Sequence, residues 1–249
     1  MIETNFIWYV VAGFIAQLID GSLGMAYGIT ASTLLLALGL PPAVASATVH
    51  AAECFTTGAS AVSHHAFGNI SKSLFRRLLL PGIIGAVTGA YILTRFPGDV
   101  LRPYIAGYLL IMGSVIILKS FRKFPHRKVK THLIPLGFFG ALIDSIGGGG
   151  WGPIVTSTLI VRGNHIRETV GSVNAVEFFV TLASAITFIL TLGLTNWQII
   201  LGLAIGGLLA APVSAWTCSR VPVRPCMIFI GTLVSAISIR TLLKYYGVI

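Results

Sequence analysis

Four of the seven acidic residues in this chain, Asp20, Glu53, Asp144 and Glu177, lie inside long apolar stretches. A charge at the centre of a bilayer costs about 2.5–3.5 kcal/mol on insertion scales, so such residues mark ion or substrate paths. The four also form two matched pairs. Residues 13–62 laid on 137–186 without a gap, an offset of 124, are identical at 17 of 50 positions, with Asp20 on Asp144 and Glu53 on Glu177. That register predicts a duplicated membrane protein whose halves build one site together.

Each Glu belongs to a polar helical stripe. His50, Glu53, Thr57 and Ser60 follow i, i+3, i+7, i+10 spacing, and Asn174, Glu177, Thr181 and Ser184 repeat it. Such spacing lines one face of a helix, and in lipid a polar face must turn to the bundle interior. The stripe is either a path for protons or solute or a seam of interhelical hydrogen bonds. Glu53 is placed to pair with His50, and because burial raises a carboxylate's pKa, either is a candidate to take up a proton near neutrality. His50 and Glu53 also resemble a metal-binding fragment, but Asn174 replaces the His in the other half and no further ligands cluster, so neither metal nor cofactor is expected. Cys54, Cys218 and Cys226 lack metal or redox spacing and read as packing residues.

Immediately before each stripe an apolar run is interrupted by glycines, between Asp20 and Gly28 and between Asp144 and Pro153. The arms on either side of the first break, within 6–40, read as roughly 14–17 residues, about 21–26 Å at 1.5 Å per residue, short of a hydrocarbon core of about 30 Å, and the run 132–162 is its equivalent. Both runs are therefore expected to be re-entrant, broken helical hairpins. Behind each break a short helix, 23–39 or 151–162, would aim its N-terminus into the bilayer interior. Free amides and the positive dipole end there suit an anion. The expected donors are Gly21, Ser22 and Gly24 from one break and Ser145, Gly147, Gly148, Gly149 and Gly150 from the other, with His50, Asn174, Thr57 and Thr181 close by. Glycines that merely let helices approach are the alternative. Asp20 and Asp144 read as caps of the second half-helices in preference to substrate ligands, because a bare carboxylate would repel an anion.

The elements that must hold these groups follow from composition. The chain is 55% hydrophobic and 10% charged, against about 25% charged residues in a soluble domain. Apolar runs at 6–40, 43–66, 75–95, 101–119, 132–162, 168–193, 196–219 and 223–243 cover its length. The predicted class is an all-α polytopic membrane protein, with no room for a soluble catalytic domain. The net charge of +10 lies in loops and at helix ends, as topology signals do, so no nucleic-acid partner is expected. The first residues lack a basic n-region, so the first run is expected to remain in the mature protein.

The basic loop with Arg122, Lys123, Arg127, Lys128 and Lys130 is the expected cytoplasmic segment. Counting from it, Lys72, Arg76, Arg77, Arg162, Arg167, Arg220 and Arg224 fall inside, and the turns at 95–102 and 193–197 and the C-terminus fall outside. Each half then has five segments: a broken hairpin plus three transmembrane helices. An odd count forces homologous halves into inverted topology, as in many secondary transporters. The expected division is a first repeat at 1–120, the basic loop at 121–131 and a second repeat at 132–249.

The breaks Leu18-Ile19-Asp20-Gly21-Ser22-Leu23-Gly24 and Ile143 to Pro153, the Gly68-Asn69-Ile70 loop and the stretch from Gly171 to Phe179 together resemble the TauE/SafE sulfite-exporter family. The resemblance covers nearly the whole chain. It implies a multi-pass permease of the inner (plasma) membrane, not an enzyme, whose relatives carry sulfite, thiosulfate, sulfoacetate and other small anions in either direction. It implies alternating access at a midplane site, with a small anionic solute and the lipid bilayer as partners, and it is compatible with a homo-oligomer. Proton- or cation-coupled uptake, with Asp20, Glu53, Asp144 and Glu177 as coupling groups, and a cation transporter using the same carboxylates are the alternatives.

Overall fold

The computed structural model describes residues 2–121, 132–162, 164–193, 196–217 and 223–248. Most of the basic loop, together with Arg220 and Cys218, lies outside the described residues.

The chain is helical throughout its described part: α1 (Ile2–Leu23), α2 (Tyr27–Ala37), α3 (Pro42–Ala66), α4 (Lys72–Thr94), α5 (Gly98–Ser120), α6 (Leu133–Gly147), a π-helical turn (Gly152–Thr156) running into α7 (Ser157–Val161), α8 (Ile166–Leu192), α9 (Trp197–Thr217) and α10 (Val223–Tyr245). Six of these, α1, α4, α5, α8, α9 and α10, contain stretches long and apolar enough to cross a membrane. With 25 residues α3 has the length, about 37 Å, but its stripe of His, Glu, Ser and Thr lowers its hydropathy.

Side-chain placement is inverted relative to a water-soluble protein. Leu190, Val62, Ile134, Leu118 and Leu80 face outward, each at least 65% exposed, while Asp20, His50, Glu53, Asp144, Asn174 and Glu177 are at most 5% exposed. Soluble proteins almost never bury Asp and Glu unless paired, so the apolar exterior identifies lipid as the solvent. Trp8, Trp197, Tyr104 and Tyr245, near the ends of spans, are all exposed, as interface anchors are.

Contacts are exchanged between the halves. The first helix of each half packs mainly on the fourth helix of the other, α1 on α9 and α6 on α4; α3 crosses α8, and α5 crosses α10. Small residues let the backbones close. A Cβ on Gly206 would strike the Val10 carbonyl, one on Gly13 the Leu203 carbonyl, and one on Gly85 the Phe138 carbonyl. Close approach of this kind supplies packing where no hydrophobic force separates helix from lipid.

The arm lengths differ from expectation. The helix α1 continues through Asp20, Gly21 and Ser22 to Leu23, 22 residues in all, so it is about 33 Å long instead of a half-span. It runs parallel to α9, with Gly13 against Leu203, Gly21 against Ser214, and the Ser22 hydroxyl 3.1 Å from that of Thr217, the last residue of α9. Gly21 belongs to the helix because its bare Cα admits the Ser214 side chain. The actual interruption spans only Gly24 to Ala26, where Gly24 has φ 68° and Ala26 φ 122°. In the second half α6 likewise keeps Asp144 inside its last turn and ends at Gly147, before Gly148 (φ 68°) and Gly149 (φ 154°), but with 15 residues it remains a half-span. The returning arms are the short ones, 11 residues in α2 and five each in the π turn and α7.

Packing this tight makes a prediction. Gly206→Ala should lower the thermal unfolding temperature of detergent-solubilised protein, in line with an overpacking cost of about 1–3 kcal/mol. Gly107→Ala, where an added Cβ meets nothing within 4 Å, should leave it unchanged or slightly higher.

Candidate functional site

The two breaks lie against one another. A Cβ on Gly149 would collide with the backbone of Gly28 and Ile29, one on Gly152 with Gly24 and Met25, and one on Gly148 with Ser32. The Ser32 hydroxyl donates to the Gly148 carbonyl and the Tyr108 hydroxyl to that of Gly149 at 2.9 Å. Carbonyls freed by the second break are thus satisfied from α2 and α5, as irregular backbone at membrane depth requires.

Amides freed by the breaks are satisfied by the paired aspartates. The Trp151 N–H donates to Asp144 Oδ1 at 2.8 Å, and the Tyr27 N–H to Asp20 Oδ1 at 3.4 Å, each seven residues along. Capping is therefore what Asp20 and Asp144 do. They reach it from the last turn of the preceding helix, not from a position directly before the restart.

His50 does not pair with Glu53. Its Nε2 lies 3.1 Å from Asp144 Oδ2 in the other half, and its Nδ1 lies 2.8 Å from the Ser46 carbonyl, one turn back. A carbonyl only accepts, so Nδ1 carries a hydrogen. The contact to Asp144 then holds one further proton, on the imidazole or on the carboxyl. The Phe188 ring, 5.9 Å away, closes the imidazole from the side.

The equivalent contact across the repeat is missing. Asn174 replaces the His and turns elsewhere: its Oδ1 accepts from the Ser60 hydroxyl at 2.9 Å, and its amide donates to the Val170 carbonyl. Asp20 Oδ2 is left buried without a hydrogen-bond partner, as is Glu177 Oε2. Both side-chain polar atoms of Gln17, fully buried one turn before Asp20, and the hydroxyl of Thr156 share that condition.

The remaining stripe residues meet where α3 crosses α8. Thr57 and Thr181, equivalent positions of the two halves, face each other with hydroxyls 3.4 Å apart. Ser145 bonds Ser184 at 2.7 Å, and its carbonyl accepts from Ser46. Ser22, expected as a substrate donor, instead bonds the Leu18 carbonyl and α9. Gly147 and Gly150 lie beneath the Tyr108 ring and hydroxyl.

Four contributors escaped the sequence reading. Tyr108 and Ser46 carry no motif. Lys119, read as a topology signal, reaches the Pro153 carbonyl at 3.3 Å and the Ser157 hydroxyl at 2.6 Å in the second hairpin. His64, near the end of α3, is fully buried: Nε2 donates to the Gly21 carbonyl at 2.9 Å and Nδ1 accepts from Asn69. Asn69 lies in the Gly68-Asn69-Ile70 loop, so that loop secures the end of α1. His65 is exposed. Among the described residues no three His, Cys, Asp or Glu side chains gather as metal ligands.

Buried carboxylates, interrupted helices and an apolar exterior define a multi-pass membrane protein. Residues 9–241 match the family described as sulfite exporter TauE/SafE, and the chain belongs to that family. It is 41% identical to the probable membrane transporter protein YtnM of Bacillus subtilis, over 96% of this chain and 83% of that one. A second Bacillus subtilis protein, the probable membrane transporter YdhB, is 26% identical over 86% of this chain and 88% of its own length. The sulfite exporter TauE/SafE family protein 3 of Arabidopsis thaliana is 27% identical over 47% of this chain and 25% of its own. No solved structure matches.

The unequal aspartates make a stability prediction. Asp144→Ala removes the Trp151 cap and strands His50, so it should cost about 3–5 kcal/mol, the range for breaking a buried pair. Asp20→Ala, which loses one long hydrogen bond, should cost clearly less. Thermal unfolding of both variants in the same detergent checks the order.

Proposed function

We propose that the protein is a secondary transporter of a small oxyanion, sulfite or an organosulfonate, in the plasma membrane. The two halves are inverted repeats, and the anion passes where the two breaks touch. The observation that carries this reading is the direct backbone contact of Gly28 and Ile29 with Gly149, and of Gly24 with Gly152, surrounded by unpartnered polar atoms of Gln17, Asp20, Thr156 and Glu177. Buried polar groups are nearly always satisfied, so this set is suited to take a polar ligand.

As it stands the junction is filled by protein. Asp20 and Asp144 occupy the first amides of the returning arms, and Gly149 covers Gly28 and Ile29. Binding therefore requires the hairpins to move apart, exposing glycine amides, the Ser32 and Ser145 hydroxyls, and the Thr57–Thr181 seam. Rocking of one repeat against the other supplies that movement. Reciprocal packing of α1 on α9 and α6 on α4 ties each hairpin to the opposite repeat, so a rigid-body shift carries both breaks.

Export of one negative charge from a negative cytoplasm is favourable by about 2.3 kcal/mol per 100 mV and needs no coupling ion. Uptake needs one. The unpartnered oxygens of Asp20 and Glu177 favour proton- or cation-coupled uptake as the second reading, because each is an acceptor awaiting a hydrogen or a cation. The asymmetry between the Asp144–His50 pair and the unpaired Asp20 would separate a held proton from an exchangeable one.

Proteoliposomes loaded with sulfite distinguish these readings. The proposal predicts electrogenic sulfite efflux that Gly149→Val abolishes, since the side chain would clash with the Gly28 and Ile29 backbone and keep the breaks from closing again to complete the cycle. Proton- or sodium-driven current without any anion would overturn it. If coupling operates, Glu177→Gln should abolish the dependence of uptake on an imposed pH gradient while counterflow of labelled sulfite persists. Unchanged gradient dependence would reduce Glu177 to packing.

A further inference from the structure

A cavity of about 160 Å³ opens at one end of the bundle, away from the breaks, where the end of α2 meets the start of α5 and the end of α10. Three cations line it: Arg102, Arg240 and Lys244, with Thr241 and Tyr245 beside them and no acidic side chain among the lining residues. Arg102 sends Nη2 to the Leu36 and Leu40 carbonyls at 3.3 and 3.4 Å, which closes the C-terminal end of α2, while its buried Nε has no partner. Arg240 and Lys244 are exposed on the last turns of α10.

Topology does not account for this cluster. Arg102 stands at the opposite end of α5 from the basic segment that follows Ser120, so the positive-inside bias predicts few cations here. Helix ends account for it in part, since Arg240 and Lys244 complement the end of α10. That does not explain convergence with Arg102 on one concavity. Three like charges around a small polar space repel unless an anion stands between them, and guanidinium and ammonium donors fit oxyanions of sulfur or phosphorus.

Position gives the cavity a role. Leu36 is one helical turn beyond Ser32, whose hydroxyl holds the Gly148 carbonyl of the other hairpin. The returning arm α2 therefore connects the cavity to the junction directly, over about 6 Å of helix. We propose that this cavity is an oxyanion-binding site on the non-cytoplasmic face, through which a bound anion holds the end of α2 against α5 and α10. It rests on the transport reading only for its place in the path, since its own chemistry is independent of the junction. The oxyanion can be a free solute or the phosphate of an anionic lipid headgroup, and the test separates them.

Purified protein in phosphatidylcholine nanodiscs is dialysed against [35S]sulfite, and the Arg240→Gln/Lys244→Gln double variant is compared with wild type. Both positions are exposed, and the charge-preserving pair Arg240→Lys/Lys244→Arg controls for folding. A free-solute site predicts binding weakened about tenfold or more in the double variant, as loss of charge-assisted hydrogen bonds implies, and retained in the charge-preserving pair. A headgroup site predicts no sulfite binding by this cavity but phosphatidylglycerol that survives detergent extraction in native mass spectra of wild type and is lost from the double variant. If neither sulfite nor phosphatidylglycerol binding depends on these two charges, the site does not exist. Sulfite binding that depends on them in a protein that shows no sulfite flux would retain this site and reject the transport reading. Flux that survives unaltered while binding here is absent would do the reverse.

Discussion

Backbone that leaves the helix inside lipid must find hydrogen bonds within the protein, and the rest of this structure depends on how that demand is met. Unsatisfied amides and carbonyls at membrane depth cost several kcal/mol each. Each interruption here caps its own first amide, and the carbonyls of the second are taken by α2 and α5. A carboxylate near the end of each entering helix reaches forward seven residues to the first amide of the returning arm, while hydroxyls of Ser32 and Tyr108 take the carbonyls of Gly148 and Gly149. The Ser32–Gly148 bond and the backbone contact of Gly149 with Gly28 and Ile29 tie one hairpin to the other. A junction built this way has few arrangements to choose from, which suits a device that alternates between them.

The pseudo-symmetry stops where the chemistry begins. Equivalent aspartates cap equivalent amides, yet only Asp144 faces a histidine. Its counterpart meets no partner at Oδ2, and Asn174 is committed to Ser60 and the Val170 carbonyl. Gln17, buried beside Asp20, corresponds to Ala141 in the second half, so the unpartnered amide there has no counterpart across the repeat. Duplication supplied a frame, and divergence made its two faces unequal. A site that must favour one side over the other in proton affinity or solute affinity needs such inequality.

Much of this was legible in the residues. The offset of 124 exposed the paired carboxylates, because acids are rare in apolar sequence and a doubled pattern stands out. Helical spacing made Thr57 and Thr181 equivalent positions on two polar stripes, but that they face each other across α3 and α8 was not legible. Arm lengths were misread because glycine was taken as a breaker at Gly21, where it serves close packing; only Gly24 and Ala26 adopt backbone that interrupts a helix. Pairing of His50 with Asp144 was hidden by their separation of 94 residues, whereas Glu53 sat conveniently one turn away. Tyr108, Ser46 and Lys119 were invisible for a related reason: each supplies one ordinary donor to a carbonyl, a role that leaves no pattern in sequence.

The account stands on hairpins that enter the membrane from opposite faces and overlap at its middle. Single cysteines at Leu38, just past the end of α2, and at Glu168, in the first turn of α8, test this most directly when placed in a variant lacking the native cysteines and probed in intact cells with a membrane-impermeant maleimide. Labelling of the Leu38 position in intact cells, with the Glu168 position labelled only after permeabilisation, is the predicted result. Both positions labelled from the same side would contradict it.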